Sequence, residues 1–251
     1  MAALFTAASS QRLRNVVPPL PSTGYPFTVG LWVRARSVGA LATIFSFADT
    51  GTTNNYFSLG IAAAGNVRIS AAAGGAVSFA QAAQMATTRW YFVLGRFIDA
   101  TNRRIAVLGM GGANFAASQD TVSRAPAGLD TMTIGSLEAS TPLDFWDGMV
   151  GELWLANADV QADGGAATAS LLHALAFGGP FAFPHIAKSL VEYRAMRRHP
   201  TAGGAGAIIA GAGVGLQVWE NVNGVGMGPH PPLPYWYVNP LQRKSLLPFV
   251  G

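Results

Sequence analysis

The sequence predicts an all-β sandwich of the jelly-roll type, followed by two helices and an extended carboxy-terminal arm rich in proline and aromatic residues. Three observations lead there. Phe27-Thr-Val-Gly-Leu-Trp-Val-Arg34 and Phe145-Trp-Asp-Gly-Met-Val-Gly-Glu-Leu-Trp-Leu155 alternate with a period of two, each with a tryptophan at mid-strand. That is the pattern of paired strands burying one face of a sheet. Between about Asn15 and Asn157 the chain breaks into short runs of this kind, separated by turn residues, as in a sandwich or jelly roll. After Asn157 the period lengthens and alanine and leucine take over.

The expected strands are Phe27 to Ala35, Ala42 to Ala48, Tyr56 to Ala62, Asn66 to Ala72, Ala76 to Ala80, Trp90 to Ile98, Arg103 to Met110, Thr131 to Ser136 and Met149 to Ala156. Asp49-Thr-Gly-Thr-Thr-Asn-Asn55 is a polar loop, while Ala64-Gly-Asn66 and Asp99-Ala-Thr-Asn102 supply hairpin turns. Tyr56-Phe-Ser-Leu-Gly-Ile61 and Val67-Arg-Ile-Ser70 alternate cleanly, so they are expected as neighbours with one wet face. This block, residues 1–160, forms the jelly-roll domain; residues 161–251 form a helical segment and the arm.

Ala166 to Phe177 reads as a helix stopped by Gly178-Gly-Pro180. A second helix is expected from Ile186 to Arg198, with Ile186, Leu190 and Val191 on its apolar side. Arg194, Arg197 and Arg198 lie near its carboxyl end, where the helix dipole favours cations. Thr201 to Gly215 carries too many glycines for a stable helix, and Leu216 to Val222 reads as one more strand. From Gly228 onward prolines hold the chain extended, yet Tyr235, Trp236, Tyr237, Leu246, Leu247 and Phe249 call for burial. These six residues are the expected partner-docking surface of the arm.

Of 251 residues, 11% are charged and 50% hydrophobic, a neutral surface that expects neighbours and self-association. The net charge of +4 comes from sixteen cations spread along the chain, not clustered in a stripe, so no nucleic-acid partner is expected. Cysteine is absent, which removes disulfides, thiolate zinc sites and cysteine nucleophiles. No apolar run is long enough to span a membrane, and the first ten residues lack the basic and apolar regions of a secretory signal.

Four ordered motifs, Phe27-Thr-Val-Gly-Leu-Trp-Val33, Asn55-Tyr-Phe-Ser-Leu-Gly60, Arg89-Trp-Tyr-Phe-Val93 and Trp146-Asp-Gly-Met-Val-Gly-Glu-Leu-Trp-Leu155, resemble the laminin-G-like group of concanavalin A-like jelly rolls. The stretch from His185-Ile-Ala-Lys188 to Gly228-Pro-His-Pro-Pro232 is similar to an extension on small laminin-G-type proteins encoded among tailed-bacteriophage virion genes. The resemblance implies a non-catalytic virion component, a head decoration or tail-associated protein assembled in the host cytoplasm, whose partners are other virion proteins. The alternative it leaves open is a free-standing carbohydrate-binding lectin or adhesion module, calcium-assisted or not, that touches host surface glycans.

Catalysis finds little support in the residues. A hydrolase on this fold presents closely spaced carboxylates such as Glu-x-Asp-x-x-Glu, whereas Glu152 stands five positions from Asp147 and therefore on the opposite face of a regular strand. The four histidines lie outside the jelly roll with no metal-site spacing, and no Gly-x-Ser-x-Gly occurs. No cofactor is expected; among ions, calcium is the one with loop oxygen donors available, at Asp49, Asp144 and Asp147. Glycan binding needs rings beside polar loops; the available rings are Tyr25, Tyr56, Tyr91 and Trp146, of which Tyr25 and Trp146 are the candidates together with Asp49, Asn54 and Asn55.

Overall fold

Period-two alternation gives strands only when neighbours supply hydrogen-bond partners, and the computed structural model shows which do. It describes residues 2–16, 18, 20, 24–110, 115–161, 165–180, 183–194 and 219–228. In chain order the strands begin with β1 Ala2–Phe5, β2 Arg12–Asn15, β3 Phe27–Ala35, β4 Ala42–Ala48 and β5 Tyr56–Ile61. Next come β6 Asn66–Ala73, β7 Ala76–Gln84, β8 Tyr91–Asp99, β9 Asn102–Gly109 and β10 Ala116–Asp120. β11 Thr131–Ile134 and β12 Gly148–Ala156 precede helix α1 Ala169–Gly178 and the short helix α2 Pro184–Ser189. β13 Leu190–Arg194, β14 Glu220–Val222 and β15 Gly226–Gly228 complete the described elements.

The strands form two antiparallel sheets. The first runs β10-β9-β8-β3-β12-β1-β15, with β13 also on β12; the second runs β14-β2-β11-β4-β5-β6-β7. The two tryptophan-bearing segments are adjacent: β3 and β12 pair with Val33 opposite Val150 and Gly30 opposite Trp154, across a bulge between Gly151 and Trp154. Between the sheets, Phe27, Val29, Leu31 and Val33 meet Phe45, Phe47, Phe57 and Leu59, all fully buried. Phe27 stacks on Phe97 with ring centroids 4.3 Å apart.

β3 and β12 were expected to bury one face, but they bury both. Trp32, Phe92, Leu94, Ala106 and Trp154 point away from the sandwich into a second core roofed by Leu172, Leu175 and Ala176 of α1, with Ile186 and Leu190. The Trp32 indole N–H donates to the Ala176 carbonyl at 3.2 Å. Trp154 lies flat over position 30, where a β-carbon would sit 2.3 Å from its ring, so only glycine lets the two strands and the indole share that space. α1 matches its expected place: Thr168 caps it by accepting from the Leu171 N–H at 3.2 Å, and Gly179 ends it at a φ of 68°.

The expected second helix is corrected. It ends at Ser189, and Leu190–Arg194 turns extended to pair with the second half of β12, with Leu155 opposite Glu192. β1 covers only the first half of β12, from Gly148 to Val150, so the rest of that edge has unpaired backbone groups. Satisfying them outweighs helix propensity in Leu-Val-Glu-Tyr-Arg. The remaining residues expected in that helix, 195–198, lie outside the described residues, as do the arm residues Tyr235, Trp236, Tyr237, Leu246, Leu247 and Phe249.

Residues 219–228 form a clip across both sheets. β14 pairs with β2 in the second sheet, and β15 pairs with β1 in the first. The turn between them has Asn223 and Gly224 at φ of 62° and 69°. Gln11 Nε2 donates to the Gly224 carbonyl and Asn223 Nδ2 to the Ser10 carbonyl. Trp219 and Val225 enter the main core from this clip.

Candidate functional site

Directly opposed residues on neighbouring strands share a face. The register of the second sheet therefore lines up Glu220, Arg14, Thr133, Ser46, Ser58, Ser70 and Phe79 in one row on its outer face. A small hairpin lies across part of that row: Leu137 and Leu143 exchange N–H···O bonds of 2.9 and 3.0 Å. Its base is pinned where the Ser136 carbonyl accepts from the Ser46 hydroxyl at 3.0 Å and from Thr133 at 2.8 Å. Glu138, buried beneath it, meets Arg12 Nε at 2.8 Å.

Beside the hairpin the face stays open as a cleft lined by Leu41, Tyr56, Ser58, Arg68, Leu137 and Asp144, with about 20 Å³ of room for a water-sized group. Arg68 donates from Nε to the Ser70 hydroxyl at 2.7 Å and lies 4.1 Å from the centroid of the exposed Phe79 ring. Asp144 takes a φ of 53°, a left-handed conformation that Asp tolerates, while its carbonyl accepts from the Thr43 N–H at 2.7 Å.

The Tyr56 hydroxyl, the Asp144 carboxylate and the two Nη groups of Arg68 make no hydrogen bond among the described residues. Burial pushes the Asp144 carboxyl up against the pull of Arg68, raises the Tyr56 phenol, and lowers the Arg68 guanidinium. Three polar groups thus face one opening, each partly desolvated and each with hydrogen-bonding atoms that the described residues leave unused.

The structure sorts the sequence candidates. Asp49, Asn54 and Asn55 stand at the end of this same face, in the loop just before Tyr56. Asp49 accepts from the Gly51 N–H at 2.8 Å, Asn55 accepts from the Gly74 N–H at 3.3 Å, and the Thr52 carbonyl accepts from the Ser140 N–H of the hairpin at 3.2 Å. They form an ordered polar loop next to Tyr56, and none of the three lines the cleft. Trp146, expected as an accessible ring, is instead fully buried in the main core, where no sugar can reach it. Its neighbour Gly148 leaves room for the indole. Tyr25 is likewise structural: its hydroxyl donates to the Arg124 carbonyl at 2.9 Å and accepts from Arg103 at 3.1 Å, and its ring packs edge-on against Phe57.

The calcium candidates are not brought together. Asp49 follows the end of β4, whereas Asp144 is bonded to Thr43 near its start. Six residues of strand between them span roughly 20 Å. Asp147 pairs with Arg36 at 3.8 Å beyond the end of β3. Among the described residues no group of three or more carboxylates or imidazoles is placed to hold a metal ion. Glu152 is buried at the β12 bulge with a φ of 48°, and among the described residues Asp144 is the one carboxylate lining the cleft, whereas a hydrolase on this fold uses two.

Sequence reasoning listed Tyr56 among the available rings but missed Ser58 and Arg68 as site residues, although it marked their strands as having a wet face. The available signal was Arg68 falling opposite Gly60 in the aligned alternation, a long cation beside a position with no side chain.

Residues 8–163, more than half of the chain, match a family model described as the concanavalin A-like lectin/glucanases superfamily. No curated protein matches the chain. Among solved structures, the native heptameric SAP-like pentraxin from Limulus polyphemus aligns over 89% of this chain and 92% of its own, with a TM-score of 0.53 and 15% identity. The LG1-3 region of the laminin α2 chain aligns over 64% of this chain and 32% of its own, with a TM-score of 0.49 and 14% identity. The CBM40 of the Ruminococcus gnavus IT-sialidase, bound to α2,3 sialyllactose, aligns over 59% and 81%, with a TM-score of 0.47 and 16% identity. At these identities the likeness is one of fold.

Proposed function

Because the chain belongs to the concanavalin A-like lectin/glucanases superfamily, we propose that it is a non-catalytic glycan-binding protein that uses the cleft on the outer face of its second sheet. One observation carries this reading. The Tyr56 hydroxyl, the Asp144 carboxylate and the Nη groups of Arg68 converge there half-buried with no hydrogen bond from the described residues, and a polyhydroxyl ligand can supply those bonds. The loop residues Asp49, Asn54 and Asn55 extend the polar surface along the same face.

Asp144→Asn separates binding from folding. The carboxyl is harder to ionise in the folded chain than in the unfolded one, so its contribution to stability is present below the unfolded value and is lost as pH rises through the raised folded value. At neutral pH the substitution is therefore expected to leave the thermal midpoint unchanged or slightly higher. On a glycan array it is expected to weaken binding at least tenfold, roughly the loss of one charged hydrogen bond. Wild-type binding is expected to fall as pH drops through the raised carboxyl value. An array with no ligand for the wild-type chain, or equal binding by the variant, removes the cleft from consideration.

A second reading, a structural component of a bacteriophage particle, is supported by the low charge of the chain and by the large apolar and aromatic residues Tyr235, Trp236, Tyr237, Leu246, Leu247 and Phe249 beyond the clip. It predicts self-association or particle incorporation through that arm. A chain ending at Gly228 is then expected to elute as a smaller species than the full chain in light-scattering chromatography. Identical masses across the micromolar range argue against the arm as a docking element.

A further inference from the structure

We infer that the cleft selects a neutral sugar by admitting a single protruding hydroxyl, the hydroxymethyl group of a hexopyranose, and that it discriminates against the corresponding uronic acid. The inference rests on the glycan-binding reading and narrows it to a ligand class.

Room is the first constraint. The cleft holds about 20 Å³ for a water-sized group, and one water needs roughly 10–15 Å³ on that measure. A single hydroxyl fits. A hydroxyl attached directly to the pyranose would bring the ring against Leu41 and Leu137, which wall the cleft. A hydroxymethyl stands one carbon further out and reaches past them. The ring's C–H face then meets Leu143, 37% exposed on the hairpin strand paired with Leu137.

Hydrogen-bond grammar is the second constraint. Asp144 can only accept, and the Nη groups of Arg68 can only donate. A hydroxyl satisfies both at once, donating to the carboxylate and accepting from the guanidinium. A methyl group in its place satisfies neither, and a carboxylate answers Arg68 alone.

Charge is the third. Arg68 and Asp144 face the same half-buried opening with opposite charges, so the empty cleft is balanced; Tyr56 is the other titratable group in its lining. An incoming carboxylate would leave two anions for one cation, and the nearer basic side chains on this face, Arg12 and Arg14, are already paired with Glu138 and Glu220.

The test uses the full chain and three matched pyranosides that differ only at C6, carrying hydroxymethyl, methyl or carboxylate, in both the gluco and galacto series. Each is displayed as a multivalent conjugate and measured by biolayer interferometry at neutral pH. The hydroxymethyl sugar of at least one series is expected to bind at least about tenfold tighter than its methyl and carboxylate partners, as for a site built around one hydroxyl. Asp144→Asn, which removes the repelling charge, is expected to bring the carboxylate sugar to within about threefold of the hydroxymethyl one. Wild-type protein that binds the methyl or carboxylate sugar as tightly as the hydroxymethyl one overturns the inference while leaving glycan binding intact. A wild-type chain that binds none of the six conjugates, and nothing on the wider array, overturns the glycan-binding reading and this inference with it.

Discussion

Arg103→Met is expected to lower the unfolding free energy by about 3–5 kcal/mol, because it leaves a buried carboxylate without its partner. Arg103 is 0% exposed, yet it carries a full charge on β9. Its Nε and Nη2 reach Asp120 Oδ2 at 3.1 and 2.7 Å, and Nη1 reaches the Ala100 carbonyl at 2.8 Å and the Tyr25 hydroxyl at 3.1 Å. Nη2 also meets the Val122 carbonyl and, at 3.0 Å, the Ser78 hydroxyl of the opposite sheet. One guanidinium thus ties β9, β10, β7 and the entry to β3 into a single corner of the sandwich.

Burial alone would push the Asp120 carboxyl up, but hydrogen bonds from Arg103 and the Val122 N–H, with the Arg103 charge, outweigh it and hold the carboxyl below its ordinary value. A depressed folded value means stability that is present above the unfolded value and is lost as pH falls through the folded one. Urea unfolding of Arg103→Met at neutral pH should show a lower midpoint at unchanged slope. The double variant Arg103→Met with Asp120→Leu should recover most of the loss, since replacing both charges leaves nothing buried and unpaired. A single-variant loss under about 1 kcal/mol, within the range of an exposed pair, would contradict the clamp.

Ending the chain at Pro200 is expected to cost far more than ending it at Gly228. The shorter chain loses β14 and β15 from the edges of both sheets and withdraws Trp219 and Val225 from the core. Trp219→Ala alone should cost about 3–5 kcal/mol, the usual range for deleting a buried aromatic side chain. Hydrogen exchange reports the cause: amides of β1 and β2 should lose protection in the chain ending at Pro200 and keep it in the chain ending at Gly228. Equal midpoints for the two truncated chains would show that the clip contributes nothing.

All nine strands expected within the sandwich form, and β3 and β4 match to the residue. Their signals are local: alternation, β-branched and aromatic residues, and glycine or asparagine at turns. β1, β2, β10, β13 and β15 were not legible, because they run only three to five residues and carry weak alternation. Gly226-Met-Gly228 is a strand solely because β1 offers it an edge. Trp146 and Tyr25 show the same limit from the side-chain end, since an aromatic residue near a loop reads alike whether its ring faces solvent or core.

By itself, the sequence determined the class of fold, the order of its central strands along the chain and the helix that ends in Gly178-Gly-Pro180. The tertiary structure alone decided that α1 seals a second core over Trp32 and Trp154, that Leu190–Arg194 extends β12 instead of a helix, and that Arg68 and Asp144, more than seventy positions apart, share one cleft. The reason is physical. Alternation is written in the spacing of neighbours along the chain, whereas edges, roofs and clefts depend on which distant strand arrives to satisfy the backbone and on what its register places opposite.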